Sequence, residues 1–178
     1  MTEPETLDSR TGLRYWRGST GQVGSLHEQP WLASMPAGGV IIAISIRGFK
    51  PVNDRYGMGI GDRVLGEFAR RLQEGARPWV AYREGGDEFV VAARLGGEAA
   101  IRAFVEPIRS SLERSYEQGI SVGTWAAAAM ALPGQPASEL VDAAGFAQWQ
   151  TKGPEAERSE LRIVRPGSVG RPPLGRRD

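Results

Sequence analysis

Cysteine is absent from this 178-residue chain, and histidine occurs once, at His27. The first absence excludes disulfides and thiolate metal sites and is compatible with a reducing cytoplasmic compartment. A lone imidazole cannot build a zinc site. Carboxylates are left as the metal ligands, and oxygen-only ligation favours Mg²⁺ or Mn²⁺ over softer ions. No apolar run approaches the ~20 residues that span a bilayer, and the opening MTEPETLDSR is polar and acidic, unlike a secretory signal. A soluble cytoplasmic protein without a membrane partner is expected. An excess of either charge is also missing: 22 basic residues face 21 acidic ones, for a net charge of +1. Nothing global therefore points to nucleic acid, and an anionic ligand must be met by local chemistry.

The length suits one hydrophobic core. Residues 1–7 read as a loose end, 8–165 as the domain, and 166–178 (PGSVGRPPLGRRD) as a disordered basic tail with little to bury. GVIIAISI, from Gly39 to Ile46, is a glycine-bounded Ile/Val run that predicts a central strand buried on both faces. From Gly61 to Gly75, Val64, Leu65, Phe68, Ala69 and Leu72 recur at helical spacing. PWVAYRE and EFVVAARL, joined across Gly85 and Gly86, predict an antiparallel hairpin. A second helix carries Ile101, Phe104, Val105, Ile108 and Leu112, with Pro107 expected to kink it. The strand ISVGTWAA, a helix capped by Ser138, and a closing strand LRIVR follow. This order predicts an α/β (α+β) fold, a mixed sheet flanked by helices.

REGGDEF, Arg83 to Phe89, is the most informative segment. GGDEF arises by chance on the order of once in a thousand such chains. Its glycines allow φ above zero and a close ligand approach, while Asp87 and Glu88 put two carboxylates at the tip. Taken alone, an ordinary acidic surface turn is the commoner meaning of such a hairpin. Some forty residues upstream, however, stands GFKPVNDRYGMGIGDRVL, directly after the central strand.

Together these segments resemble the GGDEF family, the catalytic domain of diguanylate cyclases. Phe49, Lys50, Asn53, Asp54, Gly57, Gly61 and Asp62 fall in register with its Phe-Lys, Asn-Asp and Gly-Asp positions. LDSRTGLRYWR resembles its Asp-x-Leu-Thr-Gly-Leu segment, and ISVG and AAGFAQWQTK its Ser-Ile-Gly strand and Lys-ended helix, so the resemblance covers residues 8–165. It implies a palm-like, ferredoxin-type fold that binds GTP between the Phe-Lys loop and the hairpin. Two half-sites then meet in a homodimer to make cyclic di-GMP. Asn53 and Asp62 match the guanine-reading pair; an amide and a carboxylate suit a base with both acceptors and donors, although a turn residue and a helix cap are the ordinary alternatives. Amides around Phe49 and Lys50, with Pro51 withholding one donor, would face the phosphates. Gly85 and Gly86 would lie against the nucleotide, and Lys152 matches the lysine that reaches the triphosphate. An isolated lysine at a helix end would more often be solvated. Asp87 and Glu88 match the catalytic acidic pair, and the implied metal ligands are Asp87, Glu88 and the Ile46 backbone carbonyl, holding Mg²⁺ or Mn²⁺.

The match has gaps. The family's strand ends Asp-x-Asp, the first aspartate being a metal ligand, where this chain has Ser45, Ile46 and Arg47. A neutral hydroxyl is a weaker ligand than a carboxylate, and Arg47 adds positive charge. Met58 replaces a histidine and Gly145 an aspartate, while Glu155 falls near a phosphate-assisting arginine that Arg158 would have to replace. Ala76 and Trp79 occupy the positions of a product-inhibition Arg-x-x-Asp, with Arg77 a poor substitute, so no such feedback site is expected. Two readings stay open: a cyclase using Asp87, Glu88 and Mg²⁺, or a degenerate guanine-nucleotide-binding domain acting through a regulatory protein partner. A third, another nucleotide chemistry on the same palm, carries less weight.

Overall fold

The computed structural model describes residues 7–16, 30–152 and 160–165. Six strands form one sheet: β1 (Arg14–Tyr15), β2 (Gly39–Arg47), β3 (Val80–Gly85), β4 (Glu88–Arg94), β5 (Gly123–Met130) and β6 (Arg162–Val164), in the order β1-β3-β4-β2-β5-β6. The two outermost pairs, β1·β3 and β5·β6, are parallel, and the three inner pairings are antiparallel. The sheet is mixed, as the sequence order implies. β2 lies inside it, and its first eight residues are buried.

Alternate residues of β2 serve two cores. Val40, Ile42, Ile44 and Ile46 face helices α1 (Phe49–Tyr56), α2 (Met58–Ala76) and α3 (Glu98–Leu112), with Val52, Phe68, Leu72, Ile101 and Val105 in the same cluster. Ile41 and Ala43 face the other side, against Trp16, Met35, Tyr82 and the alanine-rich α4 (Ala137–Thr151). A strand buried on both faces has to be apolar at both parities, which is why the run lacks alternation. On the first face Phe68 of α2 stacks on Phe89 at the root of the hairpin, ring centroids 5.3 Å apart, and both are fully buried.

Several elements depart from the sequence reading. The segment after β2, read as a loop, is the helix α1, opened by Gly48 and separated from α2 only by Gly57. Helix α2 begins three residues before Gly61. Helix α3 runs through Pro107 as one element. Ser138 lies inside the first turn of α4, whose preceding residue Pro136 offers no side-chain cap. Two-residue β1 had no signal of its own; it forms by pairing Arg14 with Tyr82 and Tyr15 with Arg83. Leu7, assigned to the loose end, bridges to Arg14. Residues 1–6, the tail from 166, and Glu155 and Arg158 lie outside the described residues. No helix among the described residues is long and apolar enough to cross a membrane.

Candidate nucleotide site

The elements carrying the acidic tip, the Phe-Lys segment and Lys152 meet at one end of the sheet. β2 ends there at Arg47, paired to the start of β5, while β4 begins there at Glu88, paired to Ser45. Helix α1 starts two residues after β2. The Ile46 N–H donates to the Asp87 carbonyl at 3.2 Å. Because the N–H and C=O of a strand residue point the same way, the Ile46 carbonyl also faces the hairpin. From α4, the Lys152 Nζ lies 3.3 Å from Glu88 Oε1.

The hairpin tip is braced both from within and from the N-terminal turn. Gly86 holds φ +53, where a side chain would be strained, and its carbonyl accepts a 2.6 Å hydrogen bond from Arg83. Arg83 also pairs with Asp8, both side chains being almost fully buried. Asp8 accepts further hydrogen bonds from Thr11 N–H at 3.0 Å, Thr11 Oγ1 at 2.6 Å and Tyr15 Oη at 2.8 Å. A buried charge pair persists only when the remaining lone pairs are satisfied in this way. The turn that makes them available is closed by Asp8 N–H to Leu13 O at 2.8 Å and Gly12 N–H to Asp8 O at 2.7 Å. The sequence carries no local signal for this network, since its two charged partners stand 75 residues apart.

Asp87 is half-buried and Glu88 exposed. Burial pushes the Asp87 carboxyl above the ordinary carboxylate range; its own backbone amide and the Lys152 and Arg83 charges pull it back, while Glu88 pushes it further up. Ser45 stands directly opposite Glu88 in the ladder, so the two side chains share a face. Its Oγ is buried and has no hydrogen-bond partner among the described residues. Arg47 is turned onto β5: its guanidinium lies 5.5 Å from the Trp125 ring centre and packs against Gly123.

At the α1–α2 junction, Asn53 and Asp62 sit on different helices. A Cβ on Gly61 would fall 1.7 Å from Asn53 Oδ1, so the carboxamide occupies space that only glycine leaves open. Asp62 is partly exposed and lies 3.6 Å from Arg10 Nε. The free amides at the start of α1 are those of Phe49 and Lys50; Pro51 has none and Val52 N–H already donates to Gly48 O at 3.3 Å. The Lys50 side chain projects to solvent and pairs with Asp54 at 2.7 Å, one turn along the helix. Met58 is exposed at the start of α2. Ala76 and Trp79 are spent on packing: Ala76 is fully buried, and Trp79 meets Trp31 edge-on at 6.3 Å.

Residues 6–154 match the family described as "Diguanylate cyclase, GGDEF domain". The chain belongs to the GGDEF family. It is 44% identical over 90 residues to the response regulator PleD of Caulobacter vibrioides, covering 50% of this chain and 19% of that protein. It is 34% identical over 123 residues to the diguanylate cyclase VdcA of Vibrio cholerae, covering 66% of this chain and 34% of that one. The matched segments of the chain thus span a fifth to a third of these relatives' own length. Among solved structures, the diguanylate cyclase SiaD of Pseudomonas aeruginosa, crystallised with its activator SiaC, superposes with a TM-score of 0.70 at 26% identity over 89% of this chain and 60% of that one. A Caldicellulosiruptor saccharolyticus diguanylate cyclase/phosphodiesterase structure shares the fold at TM-score 0.72 and 21% identity, covering 89% of this chain and 93% of that one.

At this end of the sheet the carboxylates of Asp87 and Glu88, the Ile46 carbonyl and the Ser45 hydroxyl offer oxygen donors only. Among the described residues no group of three acidic, histidine or cysteine side chains gathers to hold a metal on its own. Mg²⁺ is commonly held by one or two carboxylates together with substrate phosphates. The set fits one such ion better than a self-sufficient metal cage.

Proposed function

We propose that this GGDEF domain binds GTP across the α1–α2 junction and the hairpin tip, and condenses two GTP into cyclic di-GMP with loss of two pyrophosphates. The observation that carries this reading is the convergence at one sheet end of the Ile46–Asp87 hydrogen bond, the start of α1 and the Lys152–Glu88 contact. Asn53 and Asp62 take the guanine edge, and the Phe49 and Lys50 amides face the phosphates. Gly85 and Gly86 let the nucleotide lie against bare backbone. Lys152 leaves Glu88 for the triphosphate; an exposed pair of this kind is worth only about 0–1 kcal/mol, so the exchange is cheap. Asp87, Glu88 and the Ile46 carbonyl would hold Mg²⁺ or Mn²⁺, which when bound neutralises charge on the reacting phosphate. Glu88 stands beside the 3′-hydroxyl that attacks the α-phosphate and is placed to receive its proton.

One chain supplies one hairpin, whereas the cyclic product contains two nucleotides. Two copies, facing each other in a homodimer, complete the reaction. The absence of cysteine supports a cytoplasmic setting.

A second reading rests on Ser45. Its neutral hydroxyl leaves the metal site one charge short, which favours a domain that binds guanine nucleotide with weak or no turnover and signals through a protein partner. The activator bound to SiaD supports partner control on this fold. Incubation of the purified protein with GTP and Mg²⁺ or Mn²⁺, followed by chromatography and parallel calorimetry, separates the two. Cyclic di-GMP that disappears in Asp87→Ala supports the cyclase. Tight binding without product supports the regulatory domain. Absence of both overturns the nucleotide site itself.

A further inference from the structure

Arg10 is held at the base-reading end of the site by a segment more than fifty positions away in the chain. The tight turn from Asp8 to Leu13 is pinned from within by the Asp8 network. It is also pressed against α2: a Cβ on Gly66 would meet the Arg10 carbonyl oxygen at 2.9 Å. Gly66 lies one helical turn beyond Asp62, on the same face of α2. The backbone of Arg10 is thus fixed over the stripe that carries Asp62, and its side chain reaches back along that stripe to place Nε 3.6 Å from Asp62 Oδ1. This is a loose contact between two half-exposed groups, 51% and 42% accessible. Among the described residues the terminal nitrogens of the guanidinium have no partner.

On the reading that Asn53 and Asp62 hold the base, we infer that Arg10 is a third base-reading residue, specific for the 6-oxo group of a purine. The chemistry divides three ways. The Asp62 carboxylate accepts from N1–H and the 2-amino group, and Asn53 Nδ2, left to donate because its Oδ1 is turned against Gly61, is assigned to N3. Neither fills the acceptor O6 beside N1–H. A guanidinium presents several donors in one plane and accepts nothing, and it already stands next to the group that takes N1–H. A 6-amino purine sets a donor against it and removes the N1 proton that Asp62 needs. Arg10 is therefore a specificity-determining residue whose effect is on base choice, with no part in phosphoryl transfer.

The test compares binding of GTP, ITP, ATP and 2-aminopurine riboside triphosphate, by calorimetry, to the wild-type protein and to Arg10→Leu, Arg10→Lys and Asp62→Ala. ITP keeps O6 and lacks the 2-amino group; the 2-aminopurine analogue does the reverse. Arg10→Leu is expected to weaken GTP and ITP alike by about 10–100-fold, the loss of one charge-assisted hydrogen bond, and to leave the 2-aminopurine analogue unchanged. Arg10→Lys should recover part of the affinity. Equal weakening of all four nucleotides, or none, overturns the inference, because Arg10 would then act only through charge or not at all. Asp62→Ala separates this failure from that of the underlying reading: if it leaves GTP affinity intact, the base does not bind at this junction. Thermal melts of each variant confirm folding, since an exposed pair contributes little to stability.

Discussion

Burial alone would raise the Asp8 carboxyl, but hydrogen bonds from Thr11, Tyr15 and Arg83 and the Arg83 charge outweigh it and bring the pKa from 3.8 down to about 2. A folded value below the unfolded one gives stabilisation that is complete above about pH 4 and lost as the pH falls through about 2. Its size is on the order of 2 kcal/mol. Asp8→Asn should flatten the fall in stability between pH 4 and 2. At neutral pH it should cost roughly 3–5 kcal/mol, because Arg83 is left buried without its counter-charge. Denaturant melts across that pH range check both; an unchanged acid limb would show that the pair contributes nothing. Gly61 makes a different kind of prediction. Gly61→Ala forces Asn53 out of its place, so GTP affinity should fall about 3–10-fold, the value of one neutral hydrogen bond. Calorimetry reads that loss, and a full-affinity alanine variant would remove Asn53 from the base site.

At the level of elements, the hairpin's position depends on packing behind it. Phe68 and Phe89 stack where α2 crosses β4, so Phe68→Ala should cost about 3–5 kcal/mol, measured by chemical denaturation, and a cost below 1 kcal/mol would show that the site rests on the hairpin alone. β2, α2, the hairpin, β5 and α4 were legible because their residue periods and punctuating glycines are local signals. Helix α1 was not. Gly48, Pro51 and Gly57 punctuate eight residues strongly enough to look like a loop, yet Pro51 falls in the first helical turn, where the missing N–H costs nothing. β1 carries no periodicity in two residues and exists only through its partner β3. Of the proposed site, Asp87, Glu88, Asn53, Asp62 and Lys152 are named by motif spacing. The Asp8–Arg83 pair and the Arg10–Asp62 contact could not, because long-range side-chain partners leave no local pattern. Spacing also says nothing about where Lys50 points, and its side chain pairs with Asp54 in solvent.

For the molecule as a whole, the proposed activity depends on the balance of charge at one end of the sheet. In the proposed metal site Ser45 offers a buried hydroxyl where a carboxylate would add charge, and its register opposite Glu88 puts the two side chains on one face. Ser45→Asp should therefore raise cyclic di-GMP formation at least several-fold over the parent protein, and a drop in product would show that the hydroxyl is not the weak point. Because each chain holds one hairpin, turnover per chain should increase with protein concentration as half-sites meet. A rate per chain independent of concentration would contradict assembly from free chains.

The position of the bound nucleotide tests the proposed site most directly. A crystal structure with a non-hydrolysable GTP analogue and Mg²⁺ is predicted to show the base between Asn53 and Asp62, and the phosphates between the start of α1 and Lys152, with Asp87 and Glu88 facing the metal. A nucleotide bound anywhere else on the molecule, or a base edge left without contact to α1 and α2, would contradict it.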